Sequence, residues 1–277
     1  MKYGLFGIGS GLCADPGIAV RTTQAAEAAG YESVWTGEHV VLPDPREPPS
    51  PAPPEMAMLH PSTIMAHLAA VTEKIKFGTG IVLIAQRNPL VLAKEIASLD
   101  VLCNGRLLFG IGAGYLHQEF AALGVEFSER GARTDEYVHA MRALWNEEKP
   151  SFKGKFVQFE GVQAFPRPKQ SGGPPIVVGG SSKAALRRTV EYAQEWYGFA
   201  MNVEQTDQTV KQLRALCDKA GRAWDLEISV TPGARLTPEL RDQYASVGVD
   251  RLIPMMPQNS EEQLLEYVGG LASEMGI

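Results

Sequence analysis

The sequence predicts an α/β fold: a (β/α)8 barrel of the TIM type, carried as one domain over residues 1–277. Three observations lead there. Short apolar runs alternate with amphipathic segments through eight units, and strand–helix alternation builds a parallel sheet. Eight units in 277 residues match a closed barrel, which takes about 250 residues. No shift in composition divides the chain. An open doubly wound sheet is the alternative, because the sixth and seventh strands are the least regular.

The elements follow in order. KYGLFGI (2–8) reads as the first strand, with Ile18, Thr22, Ala25, Ala26 and Ala29 at helical spacing behind it. SVWTGEH (33–39) is the second. The stretch 43–61 holds eight prolines, which rules out regular helix or central sheet, and a helix follows near 62–73. IKFGTGIVL (75–83) is the third strand, with Gly78 and Gly80 inside its apolar run. Asn88-Pro89 opens the next helix as N-cap and first-turn proline, with a buried stripe of Leu90, Ala93, Ala97 and Val101.

RLLFGIGAG (106–114) is the fourth strand, followed by a helix near 130–147 with Tyr137, Met141 and Leu144 on one face. FKGKFVQFEG (152–161) alternates about Gly154-Lys155 as a small hairpin, inside an insertion over 148–174. The barrel is thus expected to carry insertions after strands two and four. PIVVGG (175–180), EWYGFA (195–200), LEISVTP (226–232) and RLIPMMP (251–257) complete the eight strands, each followed by a helix.

Composition narrows the function. A net charge of −6 without a basic stripe argues against nucleic acid and anionic membrane as partners. Cys13, Cys103 and Cys217 lie far apart with no C-x-x-C, which argues against a disulfide framework or a cysteine zinc site and reads as buried thiols of a reducing compartment. No apolar run reaches the roughly 18 residues of a membrane span. The N-terminus reads as a strand rather than a signal peptide, and a cytoplasmic protein is expected. His60, His67, His117 and His139 show no metal-ligand pattern, and no G-x-S-x-G nucleophile motif occurs.

Active sites of such barrels gather at the C-terminal strand ends. Strand five ends in Gly179-Gly180-Ser181-Ser182 ahead of a helix. Free amides, two hydroxyls and a positive helix end suit a phosphate; a serine N-cap after a glycine turn is the plainer reading. Gly110-Ile111-Gly112-Ala113-Gly114 after strand four lacks the dinucleotide fingerprint. It either admits close strand packing or lets a flat ligand approach the backbone. His39 is the acid–base candidate, with Glu38 beside it, although adjacent side chains can point apart; a loop histidine capping a carbonyl is the alternative. The 43–61 loop is either a lid or a surface insertion, and Met56, Met58 and Leu59 favour the lid.

Together, KYGLFGIG, AAEAAGYESVWTGEHV, IKFGTGIVL leading into RNPLVLAKEIASLDVLCNGRLLFGIGAGY, and PPIVVGGSS resemble the bacterial-luciferase-like oxidoreductases, most of all the branch using the deazaflavin coenzyme F420. The resemblance spans nearly the whole chain. It implies a bulged third strand with a non-prolyl cis peptide at Gly80-Ile81, where a glycine bulge with a trans peptide is the alternative. It also implies a ring across the barrel mouth supported by Gly80, Ile81 and Val82. His39 would then handle protons, Gly112, Ala113 and Gly114 would approach the ring or its tail, and Gly179, Gly180, Ser181 and Ser182 would hold the phosphate. A homodimer is implied as well.

Two positions depart from the sugar-phosphate dehydrogenase branch. Tyr115 stands where that branch has a glutamate acid, and Val40-Val41-Leu42-Pro43 where it has a tryptophan. A sugar phosphate is therefore not expected, and Tyr115 takes a supporting role because its ordinary pKa is about 10.

The expected function is F420-dependent hydride transfer to or from a small organic substrate. The alternative is an FMN-dependent monooxygenase using O2 and a reductase partner. A third reading is a non-catalytic flavin- or deazaflavin-binding protein. An unrelated aldolase or isomerase barrel would need a catalytic lysine that the strand ends lack.

Overall fold

Each of the eight apolar runs finds parallel strand neighbours on both sides. The computed structural model describes residues 1–277. The first half contains β1 (Lys2–Phe6), α1 (Pro16–Ala29), β2 (Ser33–Thr36), α2 (Pro61–Ala69), β3 (Lys76–Thr79), β4 (Val82–Leu83), α3 (Pro89–Leu102), β5 (Leu107–Gly112), α4 (His117–Ala122) and α5 (Arg130–Asn146). The second half contains β6 (Phe152–Lys153), β7 (Gln158–Phe159), β8 (Ile176–Gly179), α6 (Lys183–Tyr192), β9 (Glu195–Met201), α7 (Val203–Ala220), β10 (Glu227–Pro232), α8 (Pro238–Ser246), β11 (Arg251–Leu252) and α9 (Glu261–Met275).

The ring closes. β1 pairs with β2 and β11, β2 with β3, and both β3 and β4 with β5; β5, β8, β9, β10 and β11 then pair in order, always parallel. This is the (β/α)8 barrel, with its third strand split into β3 and β4. The β6–β7 hairpin lies outside the ring as an antiparallel pair.

Local chemistry sets the helix ends. Asp15 caps α1 by accepting from the Ile18 amide at 2.9 Å, and Asn88 caps α3 by accepting from Leu90 at 2.9 Å, each followed by a first-turn proline. Three expectations need correction. The first and second strands stop at Phe6 and Thr36, because Gly7 and Gly9 turn to positive φ and the chain after Thr36 leaves the sheet. The eighth strand does not reach 257. Pro254 and Pro257 have no N–H to give a ladder, and beyond Leu252 only a bridge from Phe6 to Met255 continues it. The buried stripe of α3 runs through Leu92, Ala93, Ile96, Ala97 and Leu99, while Val101 is exposed; apolar residues outside this stripe (Leu90, Val91, Val101, Leu102) made periodicity alone ambiguous.

Two apolar regions result. The larger one lies between the strands and the helices, and includes all three cysteines as free, buried thiols. The smaller fills the barrel itself: Trp35, Leu108, Val177, Tyr197 and Ile253, with Phe6 and Ile81 packed on it. Below this plug, at the N-terminal strand ends, Arg251 is buried and donates to Glu32 at 2.9 Å, to Ser229 at 2.9 Å and to Glu195.

Burial pushes the Glu32 carboxyl up, but Arg251 and Lys76 outweigh it and hold its pKa at about 2 instead of 4.5. A depressed carboxyl contributes stability that is complete above the unfolded pKa and lost as pH falls through the folded one. Arg251→Met should therefore cost about 3–5 kcal/mol at neutral pH, read as the urea midpoint. It should also flatten the loss of stability expected of the native protein as pH falls from 4.5 to about 2.

Candidate active site at the barrel mouth

The third strand answers for its glycines. Phe77 and Gly78 pair with Leu107 and Leu108, whereas Val82 and Leu83 pair with Ile111 and Gly112. The third strand therefore spends four steps where β5 spends three: a one-residue bulge. The peptide Gly80-Ile81 within it is cis, as the sequence implied. Gly78 does not serve as a bend; a Cβ there would enter the Trp35 indole, which stacks on Tyr197 with centroids 5.5 Å apart. A Cβ on Gly80 would meet Phe6 at 2.9 Å.

The bulge turns Ile81 into the mouth, and its neighbours make room for it. A Cβ on Gly112 would collide with Ile81 Cδ1, and one on Gly179 would sit 2.8 Å from Ile81 Cγ2. These two glycines serve packing around Ile81, so close strand packing, one of the two readings of the strand-four glycines, is the role that Gly112 takes. Gly114 has positive φ and lies against Phe120, while Ala113 is half-buried between them. Val82 is buried in the ladder against Ile111. Beside Ile81, Phe6 and Phe199 meet with centroids 5.1 Å apart, and Phe199 is 48% exposed. Ile81, Phe6 and Phe199 form an apolar floor open to solvent.

At the rim, His39 Nδ1 lies 3.4 Å from Glu119 Oε2 on α4, and the Tyr115 hydroxyl lies 3.4 Å from His39 Nε2. The Val40 amide donates to Glu119 Oε1 at 2.7 Å. Glu119 is fully buried. Burial raises its carboxyl, but the hydrogen bond and charge of His39, together with the Val40 amide, win and hold it below the usual range. An ionised carboxylate at Nδ1 keeps a proton on that nitrogen and leaves Nε2 to Tyr115 and the mouth. Burial, then the Glu119 charge, pushes the Tyr115 phenol up.

Glu38 and His39 do not pair. Glu38 turns the other way, ion-paired with Arg87 and accepting from the Leu83 amide at 3.0 Å. Burial raises its carboxyl against the pull of Arg87. Arg87 also donates to His60 Nε2 at 2.9 Å. Glu38 thus ties the turn after β4 to β2 rather than facing the mouth. Sequence reading missed Glu119, Arg87, Phe6 and Phe199. Phe6 and Phe199 do lie on strands assigned from the sequence, near their C-terminal ends.

Across the mouth, Ser182 caps α6 by accepting from the Ala185 amide at 3.2 Å, so the plainer reading holds for its side chain. Gly180 has positive φ, and its amide donates to Tyr197 O at 3.1 Å. Ser181 is exposed, beside first-turn amides that a helix leaves without internal partners. An added Cβ at Gly180 would meet only Ala185, at 3.7 Å, so the space before the helix is open. The Pro-rich segment runs along this end of the barrel. Its Met58 bridges to Ser10, and a cavity of about 350 Å³ separates its residues 41–47 from Gln118, Glu119 and Ala122 of α4.

The luciferase-like monooxygenase family profile matches residues 7–269, and the chain belongs to that family. It is 30% identical over 99% of both chains to the uncharacterized protein Rv0953c of Mycobacterium tuberculosis. It is 33% identical to the FMNH2-dependent dimethylsulfone monooxygenase of Pseudomonas putida over 65% of this chain and 50% of that one. In structure it resembles an F420-dependent secondary alcohol dehydrogenase solved with an F420–acetone adduct, with a TM-score of 0.79, 17% identity and coverage of 96% and 97% of the two chains. Family members so related are oxidoreductases and monooxygenases. No helix is long and apolar enough to cross a membrane.

The two serines separate a capping role from a binding one. Ser182→Ala should lower stability by about 1 kcal/mol and Ser181→Ala by nothing measurable, both read by thermal or urea unfolding.

Proposed function

We propose that the barrel mouth binds the deazaflavin coenzyme F420 and that the enzyme moves a hydride between it and a small organic substrate. The observation that supports this best is His39, held at Nδ1 by a buried carboxylate and with Nε2 beside the Tyr115 hydroxyl at the rim. Hydride transfer to or from a carbonyl or alcohol carbon needs a proton moved at the oxygen, and a positioned imidazole supplies that.

The residues present fit the coenzyme. The apolar floor of Ile81, Phe6 and Phe199 suits a flat ring, and the open first turn of α6 with Ser181 suits a phosphate. When bound, the deazaflavin supplies or accepts the hydride. The chain does the rest. His39 Nε2 gives or takes the substrate proton, Glu119 fixes the imidazole and balances its charge, and Tyr115 shares the Nε2 side. Glu38 supports through Arg87 and does not take part in proton transfer. No sugar-phosphate role is assigned.

The second reading, an FMN-dependent monooxygenase with O2 and a reductase partner, is favoured by one observation: the 33% identical relative is an FMNH2-dependent monooxygenase. A non-catalytic binding protein would not need a buried glutamate beneath the rim histidine. A cytoplasmic homodimer remains part of the proposal through the family resemblance.

A paired fluorescence titration of the apo protein with F420 and FMN tests the cofactor. Tight F420 and weak FMN binding is expected; the reverse order transfers the function to monooxygenation. His39→Ala should then lower turnover by about 10²–10⁴-fold while leaving coenzyme affinity unchanged, read by F420 absorbance with a panel of small alcohols and carbonyl compounds. Unaltered turnover removes His39 from the proton step. Ser181→Ala should weaken F420 binding.

A further inference from the structure

Two neighbouring pairs of residues diverge in the same way at the rim. Glu38 and His39 point apart, and so do Arg87 and Gln86, on the turn that follows β4. Arg87 meets Glu38. Gln86 lies on the other side, beside the Glu119 carboxylate that holds His39. The first couple is a finished ion pair, and the second is unfinished. Gln86 is 9% exposed, yet neither Nε2 nor Oε1 has a hydrogen-bond partner of proper geometry. Buried side-chain amides are seldom left so.

The carboxylate opposite has room to accept. Glu119 takes one bond from the Val40 amide on Oε1 and one contact from His39 on Oε2, while an ionised carboxylate can accept about four. It is fully buried, so solvent does not fill the remainder. A buried donor without an acceptor therefore stands next to a buried acceptor with spare capacity.

We propose that Gln86 is a positioning residue for His39: its side-chain Nε2 closes onto Glu119 as a third donor and locks the carboxylate against the imidazole. The inference rests on His39 being the proton-handling group. A third donor keeps Glu119 ionised. An ionised Glu119 holds the His39 proton on Nδ1, so that Nε2 stays available to the mouth. The titratable groups facing Glu119 are His39 from the loop after β2 and Tyr115 from the loop after β5. Gln86 is the neutral group that completes the set.

The test uses the full-length protein without coenzyme. Carboxyl carbon NMR follows the Glu119 titration in the native chain and in Gln86→Met, which keeps the volume and removes the donor. Loss of a donor to the ionised form raises a carboxyl pKa. Gln86→Met should therefore move the Glu119 midpoint up by about one unit. An unchanged midpoint overturns the inference. A second measurement needs no variant. The Gln86 Nε2 protons of the native protein should exchange slowly and lose that protection as Glu119 protonates. Fast exchange at neutral pH also overturns it. Neither readout involves coenzyme or turnover, so failure here leaves the cofactor titration standing, and an FMN result there leaves this one intact.

Discussion

The mouth of this barrel is set by what fills its inside. Trp35 and Tyr197 stack across the interior with Leu108, Val177 and Ile253, and this plug occupies the place where a side chain on Gly78 would project. The third strand cannot continue flat over it. It spends an extra residue, changes from β3 to β4, and delivers Ile81 above the plug instead of beside it. Close packing makes the arrangement exclusive, because an interior at crystal-like density leaves no slack for an added methyl group. Gly112 and Gly179 then follow from Ile81, and the apolar floor follows from Ile81, Phe6 and Phe199 together.

The polar half of the site depends on chain direction. Successive residues of an extended segment face opposite ways, so Glu38 and His39 are sent to different partners. Glu38 takes Arg87 and braces the turn after β4. His39 takes Glu119, a carboxylate from α4, the short helix that follows β5. The site has a carboxylate next to its histidine even though Tyr115 occupies the position directly after the strand-four glycines. Burial makes that carboxylate effective: in a poorly solvated setting its attraction for the imidazole is weakly screened, and the Val40 amide offsets part of the cost of ionising it there.

The two ends of the barrel divide the work as such folds do. Arg251, Glu195 and Glu32 lock the N-terminal ends through buried charge, at the end opposite the mouth. The C-terminal ends carry glycines, a helix start and the histidine, with less packing and more exposure.

The sequence by itself determined the eight strand–helix units, the cap at Asn88 and His39 as the acid–base candidate, while the cis peptide at Gly80-Ile81 was implied by the family resemblance and Ser182 stood between a phosphate ligand and an N-cap. Each is written in a few adjacent residues, or in a motif whose spacing survives without knowledge of neighbours. Tertiary structure alone decided what each side chain faces. Gly78, Gly112 and Gly179 proved to be spaces for Trp35 and Ile81, because steric exclusion acts between strands distant in sequence. The Glu38-His39 dipeptide resolved into two separate couples, because its partners Arg87 and Glu119 lie 49 and 80 residues away. Helix α3 buried Leu92 and Ile96 rather than Val101, because a helix with apolar residues on more than one face has no single preferred face until something packs against it. Local propensity is encoded locally, whereas pairing and burial are properties of the closed ring.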